Sequence, residues 1–95
     1  MARNEALFIF CYDIAGDAVR RKVADVMESG AVRVQKSVFE GFMSGGAARR
    51  LAQQAAARLD PDDSLRVYAV TADGRRNSFS FGPLPIPEEG GLYVL

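Results

Sequence analysis

The sequence predicts an α+β domain whose elements run strand, helix, strand, strand, helix, strand, and three observations carry that expectation. Two segments repeat apolar residues at helical spacing. Short apolar or alternating runs lie before, between and after them. Turn-forming residues punctuate most of the junctions.

Ala6 to Tyr12 is a nearly unbroken apolar run rich in aromatic side chains, the pattern of a central strand covered on both faces, and Asp13 marks its exit. After Ala15-Gly16, Asp17 is a good helix N-cap; Val19, Val23, Val26 and Met27 follow at helical spacing, and Gly30 suits the C-terminal cap. On this short amphipathic helix Arg20 and Lys22 flank the apolar stripe on opposite sides, and Arg20, near the first turn, leans toward the strand exit. Arg21 points away from the stripe as a solvated charge.

Val32 and Val34 alternate with Arg33 and Gln35, and after Lys36-Ser37 a further extended segment runs from Val38 to Met43. These read as two strands. With no Asn-Gly or Asp-Gly at the junction, a kinked continuous strand or a bulge also fits there. Ser44-Gly45-Gly46 breaks the pattern. Ala48, Leu51, Ala52, Ala55 and Leu59 then line one face of a second helix, and Asp60-Pro61-Asp62-Asp63 ends it. Leu65 to Thr71 alternates as the next strand. A strand and crossover helix repeated twice around a hairpin gives a four-stranded antiparallel sheet with both helices on one face, the ferredoxin-like βαββαβ sandwich.

Ala72-Asp73-Gly74-Arg75 is a turn signal, and residues 77–81 alternate as a short fifth strand. The ferredoxin-like domain is expected over 1–82 and a proline-rich tail over 83–95. Pro83, Pro85 and Pro87 demand an extended strap, and the apolar end Leu92-Tyr93-Val94-Leu95 is expected to dock as a terminal strand across a homodimer.

Composition narrows the function. A domain of 95 residues buries only roughly 60 to 65% of the surface its unfolded chain exposes, so its core is thin and dimerisation is expected. Twelve basic residues balance twelve acidic ones; any contact with nucleic acid must come from a local patch. The single cysteine, Cys11, sits among Phe8, Ile9, Phe10 and Tyr12 as a small hydrophobe and suits a reducing cytoplasm. No apolar stretch approaches the ~18 to 20 residues that span a bilayer, and no basic-then-apolar leader opens the chain. The absence of histidine removes imidazole bases, His-ligated zinc and Ser-His or Cys-His nucleophiles within one subunit, leaving carboxylate, metal or lysine chemistry.

Asp13 has two readings. It caps the turn before the helix, as Asp often does, or it offers a rigidly placed carboxylate to magnesium, with a nearby two-fold axis supplying a second copy and water the remaining ligands. Arg20 and Arg33 either hold phosphate or are simply solvated. Phe39 and Tyr12 either stack on a base or fill the core.

Together these residues resemble the second CRISPR-associated protein family, the small ferredoxin-like subunit of the spacer-acquisition machinery. Tyr12-Asp13 at a strand end, the basic helix start Arg20-Arg21-Lys22-Val23-Ala24, Gly30, the segment Arg33-Val34-Gln35-Lys36-Ser37-Val38-Phe39-Glu40 and the late strand Ser64-Leu65-Arg66-Val67-Tyr68 carry the resemblance over about three quarters of the chain. It implies a homodimer that bridges CRISPR-associated integrase subunits and holds double-stranded DNA. It also implies a magnesium-dependent endonuclease acting on single-stranded RNA or double-stranded DNA. Asp13 would be the catalytic metal ligand for Mg2+. Tyr12 and Phe39 would support the site or the nucleic acid, and Arg20, Lys22 and Arg33 would contact phosphate. Lys22 stands where the family often has arginine, which keeps the charge and loses bidentate recognition. A purely architectural scaffold and a toxin-like ribonuclease of the same fold are the alternatives.

Overall fold

The computed structural model describes residues 5–88. Along the chain lie β1 (Glu5–Asp13), α1 (Asp17–Glu28), β2 (Val32–Gln35), β3 (Val38–Ser44), α2 (Gly45–Ala56), β4 (Ser64–Val70) and α3 (Ala72–Arg76). The strands form one sheet in the order β2-β3-β1-β4, every neighbouring pair antiparallel. The ferredoxin-like topology read from the sequence is therefore present, with the most apolar strand, β1, between β3 and β4.

Strand alternation sorts the side chains of β1. Phe8, Phe10 and Tyr12 face α1 and α2 together with Phe39 and Met43 of β3, and Phe10 stands opposite Phe39 in register. Val23, Ala24 and Met27 of α1 and Ala48, Leu51 and Ala55 of α2 close this core, in which Phe10, Phe39, Met27 and Val23 are fully buried. Each such side chain stabilises the fold by about 1.5–3 kcal/mol. Gly41 lies between Phe39 and Met43 on the same face, where a Cβ would come within 2.9 Å of the Met43 methyl and 3.7 Å of the Ala31 Cα. Its missing side chain lets the end of α1 approach the sheet.

The opposite face carries Leu7, Ile9, Cys11 and Asp13. α3 folds over its Leu7 end, where the Arg75 guanidinium lies 5.7 Å from the centroid of the Phe42 ring and Phe42 pairs with Leu7. Ile9 and Cys11 are only half-buried, and Tyr68, opposite Ile9, is 46% exposed. The expected cover on both faces of β1 thus holds for the helix side and for one end of the other.

Several local expectations change. Gly16, not Asp17, is the N-cap of α1; Asp17 is the first helical residue and its carboxylate pairs with Arg20, one turn on, instead of capping. Ser29 is the C-cap, and the only left-handed glycine among the described residues is Gly82, at φ 104°, not Gly30. β2 and β3 form a hairpin across Lys36-Ser37, with a register shift between Arg33 and Gln35, so both the two strands and the irregularity are real. Ser44 caps α2 by accepting from the Ala47 amide at 3.1 Å. Residues 72–76, read as a turn, make the short helix α3, because the Thr71 hydroxyl accepts from the Gly74 amide at 3.1 Å and Arg76 pairs with Asp73. Residues 77–81 form no strand: they pair with no neighbour among the described residues, and Phe79 and Phe81 are 76% and 90% exposed. The strap over 83–88 has no regular element, and its Pro87 is buried. The terminal strand expected at Leu92–Leu95 lies outside the described residues. No described helix is long and apolar enough to cross a membrane.

Candidate nucleic-acid interface

β1 ends in two adjacent residues that leave on opposite faces. On the helix side, Tyr12 is tied to the β2–β3 hairpin: its amide donates to the Ser37 carbonyl at 3.1 Å and its hydroxyl donates to the Lys36 carbonyl at 3.3 Å. Arg33 donates from Nη1 to the same Lys36 carbonyl at 2.9 Å, and its guanidinium lies 5.0 Å from the centroid of the Phe39 ring. The Tyr12 ring stacks on Phe39 with centroids 6.3 Å apart and planes at 27°. Phe39 has no exposed surface and Tyr12 only 7%. No base can stack on Phe39, and the reading of Tyr12 and Phe39 as direct nucleic-acid contacts is corrected: they brace the hairpin against the central strand.

Burial pushes the Tyr12 phenol above its ordinary value; Arg33 pulls it down, Glu28 pushes it further up and Arg20 pulls it down. The phenol stays neutral and keeps its proton for the Lys36 carbonyl.

Arg20 leans back toward the strand exit as its helix position predicts. Its Nη1 donates to the carbonyls of Ile14 at 2.8 Å and Ala15 at 3.1 Å, while Nη2 pairs with Asp17. From the other side Asp63, at the entrance to β4, accepts the Ala15 amide at 3.2 Å on Oδ1 and the Asp60 amide at 2.9 Å on Oδ2. The loop between β1 and α1 is thus held by a cation from one element and a carboxylate from another. Asp63 takes the turn-capping role that the sequence offered to Asp13.

Between the start of α1 and the hairpin lies a cleft of about 200 Å³ lined by Tyr12, Asp17, Arg20, Arg21, Ala24, Arg33 and Lys36. Four basic residues face one acid there. Arg20 and Arg33 meet in this cleft, and Lys22, exposed on α1, does not line it. Arg21 and Lys36 line it without having been marked by the sequence. The reading of Arg21 as pointing away from the apolar stripe is true of the helix, but the flank of α1 that it occupies is the wall of the cleft. A charge in a two-residue hairpin turn three positions after Arg33 was the available signal for Lys36.

Asp13 stands apart from this cleft. It follows Cys11 on the helix-free face, opposite Ser64 in register, and is exposed. Among the described residues no hydrogen bond or ion pair engages its carboxylate. A lone carboxylate is a hard oxygen donor of the kind magnesium accepts, with waters filling most of its octahedron. No cluster of three or more potential metal-ligating side chains occurs among the described residues, so a metal at Asp13 would need water and a second protein copy.

A family model for CRISPR-associated protein Cas2 matches residues 6–78. A CRISPR-associated endonuclease Cas2 of Thermus thermophilus is 38% identical over 83 residues, covering 86% of this chain and 90% of its own. The crystal structure of a hypothetical protein from Thermus thermophilus superposes with a TM-score of 0.70 at 34% identity, over 85% of this chain and 98% of its own. A chain of a partial Cas6-RT-Cas1–Cas2 complex superposes with a TM-score of 0.66 at 25% identity, over 79% of this chain and 89% of its own.

Proposed function

The chain belongs to the CRISPR-associated protein Cas2 family, and from that premise we propose that it is the adaptation subunit that bridges integrase subunits as a homodimer and cleaves phosphodiesters with magnesium held at Asp13. The observation that carries the catalytic part is the exposed Asp13 carboxylate, fixed at the end of the central strand and left without a partner among the described residues while Asp63 secures the turn. A carboxylate that served only the turn would be engaged there.

The helix-free face supports the dimer. Ile9 and Cys11 are half-buried and Tyr68 is exposed, all on the surface that also carries Asp13. Packing two such faces about a two-fold axis would bury them and draw the two Asp13 side chains together, giving a metal two protein ligands instead of one. Bound magnesium supplies stabilisation of developing phosphate charge and a more acidic water, chemistry that needs no histidine. The protein's share is to hold that ion on a rigid strand end and to hold the nucleic acid across it, double-stranded DNA or single-stranded RNA. A similar chain occurring in a complex with Cas1 supports an integrase partner for this one.

A second reading, an architectural scaffold without catalysis, draws on the absence of a three-ligand cluster among the described residues. One comparison separates the two. Wild type and Asp13→Asn are incubated with duplex DNA and single-stranded RNA, with magnesium or with chelator. Catalysis at Asp13 requires cleavage that falls to the chelator level in the variant. Equal cleavage by both proteins, or none by either, favours the scaffold, and then Asp13→Asn still supports spacer integration in a reconstituted complex.

A further inference from the structure

We infer that Arg66 is a catalytic residue of the Asp13 site, a guanidinium that holds the scissile phosphate on the helix-free face. The inference rests on the nuclease reading proposed above and adds a residue to it. Strand register brings the two side chains together. Asp13 stands opposite Ser64, and Arg66 lies two positions further along β4, opposite Cys11. Its neighbours Leu65 and Val67 line the groove beside α2, so Arg66 leaves on the other face, the one that carries Asp13. Diagonal neighbours of this kind have Cα atoms about 7–8 Å apart, a span that a phosphate and a guanidinium can share. β4 is an edge strand, and Arg66 is exposed on it.

The donors of Arg66 are free. Among the described residues it makes no hydrogen bond or ion pair, and its guanidinium lies 5.7 Å from the centroid of the Tyr68 ring on the same face. A ring attracts the charge and occupies none of the N–H groups. Arg20 and Arg33, by contrast, spend donors on the carbonyls of Ile14, Ala15 and Lys36. Arg66 keeps its planar fork, which suits two oxygens of one phosphate. Arg75, the guanidinium over Phe42, sits at the Leu7 end of the same face, about 20 Å from Asp13 at the rise of a strand.

Charge balance gives this cation its work. Two Asp13 carboxylates about the proposed two-fold axis cancel the charge of one magnesium ion, so that group alone offers an anionic substrate no net attraction. The same axis sets one Arg66 from each chain on the flanks of the pair and makes the site cationic. In hydrolysis a water oxygen bonds to phosphorus, the bond to one ester oxygen breaks, and that oxygen takes the proton the water gives up. Arg66 stays protonated throughout and stabilises the charge on the non-bridging oxygens.

Two measurements test the assignment, and the first needs neither metal nor turnover. In Asp13→Asn, in chelator, dimethyl phosphate should shift the NMR resonance of the Arg66 Nε–H, which is assigned by its loss when Arg66→Gln is added. With magnesium, Arg66→Gln in the otherwise native chain should lower kcat for cleavage of RNA or duplex DNA about 10²–10³-fold with KM nearly unchanged. Arg66→Lys should recover part of the loss, since it restores the charge without the fork, and sedimentation should find both variants in the wild-type oligomeric state. An unmoved resonance, wild-type turnover by Arg66→Gln, or a loss of activity that tracks a change in oligomeric state overturns the assignment. If the resonance shifts and wild type cleaves neither substrate, the nuclease reading and the catalytic role fall, and the phosphate contact stands.

Discussion

Tyr12 and Asp13 are neighbours in the chain and strangers in the fold. Tyr12 turns to the helix side, buries its ring on Phe39 and ties its hydroxyl to the hairpin. Asp13 turns to the helix-free side and is exposed, and its carboxylate has no partner among the described residues. The period of two in a strand makes the division. What looks in the sequence like one site, a carboxylate beside an aromatic and a set of arginines, is two: a basic cleft between α1 and the hairpin, and a carboxylate on the surface opposite. On the helix side Tyr12, Arg20 and Arg33 satisfy neighbouring groups, on the other the Asp13 carboxylate is left over, and this contrast separates residues that shape the protein from residues available to a ligand.

The contrast breaks most visibly at Phe39. If its ring belongs to the core, Phe39→Ala costs about 3–5 kcal/mol in chemical denaturation; a loss below about 1 kcal/mol would free the ring for nucleic acid. Arg20→Gln should cost about 1–2 kcal/mol, because the carbonyls of Ile14 and Ala15 lose a charged donor. A variant with wild-type stability and weakened DNA binding would return Arg20 to the ligand side. Asp63→Ala should cost about 1 kcal/mol by releasing the Ala15 and Asp60 amides, whereas Asp13→Asn should stay within about 0.5 kcal/mol of wild type. Equal losses at the two positions would erase the difference drawn between them.

The smallest effect is at Tyr12. Its phenol is raised by burial from an ordinary value of 10.0, so the folded chain holds the proton after the unfolded chain has begun to lose it. The stability this contributes is whole below the ordinary value and is lost as pH rises through the raised one. Tyr12→Phe should lower stability by about 0.5–1.5 kcal/mol near neutrality and flatten the alkaline fall above about pH 10. An unchanged alkaline fall would place its cause elsewhere.

The fold was largely legible because it depends on short-range pattern. The apolar run at 6–12, the helical spacing from Val19 to Met27 and the alternation from Leu65 fixed the elements and their order, and the topology followed. The misses came where a local signal met a competing partner. Asp17 looks like a cap until Arg20 takes its carboxylate. Asp73-Gly74 looks like a turn until the Thr71 hydroxyl and Arg76 stabilise a helix around it. Asp13, Arg20 and Arg33 stand out in the sequence, but which of them stays available depends on long-range bonds: Asp63 reaches Ala15 from 48 residues away, and Tyr12 reaches Lys36 from 24. No periodicity reports such bonds, and for that reason Arg21, Lys36 and Asp63 went unmarked.

The most direct measurement of the two-faced arrangement is the duplex affinity of Asp13→Asn in chelator, set beside that of the Arg21→Gln/Lys36→Gln double variant. Separate faces predict that Asp13→Asn binds duplex as tightly as wild type while losing magnesium-dependent cleavage, and that the double variant loses affinity and salt slope. If Asp13→Asn weakens binding as much as the double variant does, carboxylate and cleft form one site and the division at the end of β1 is wrong.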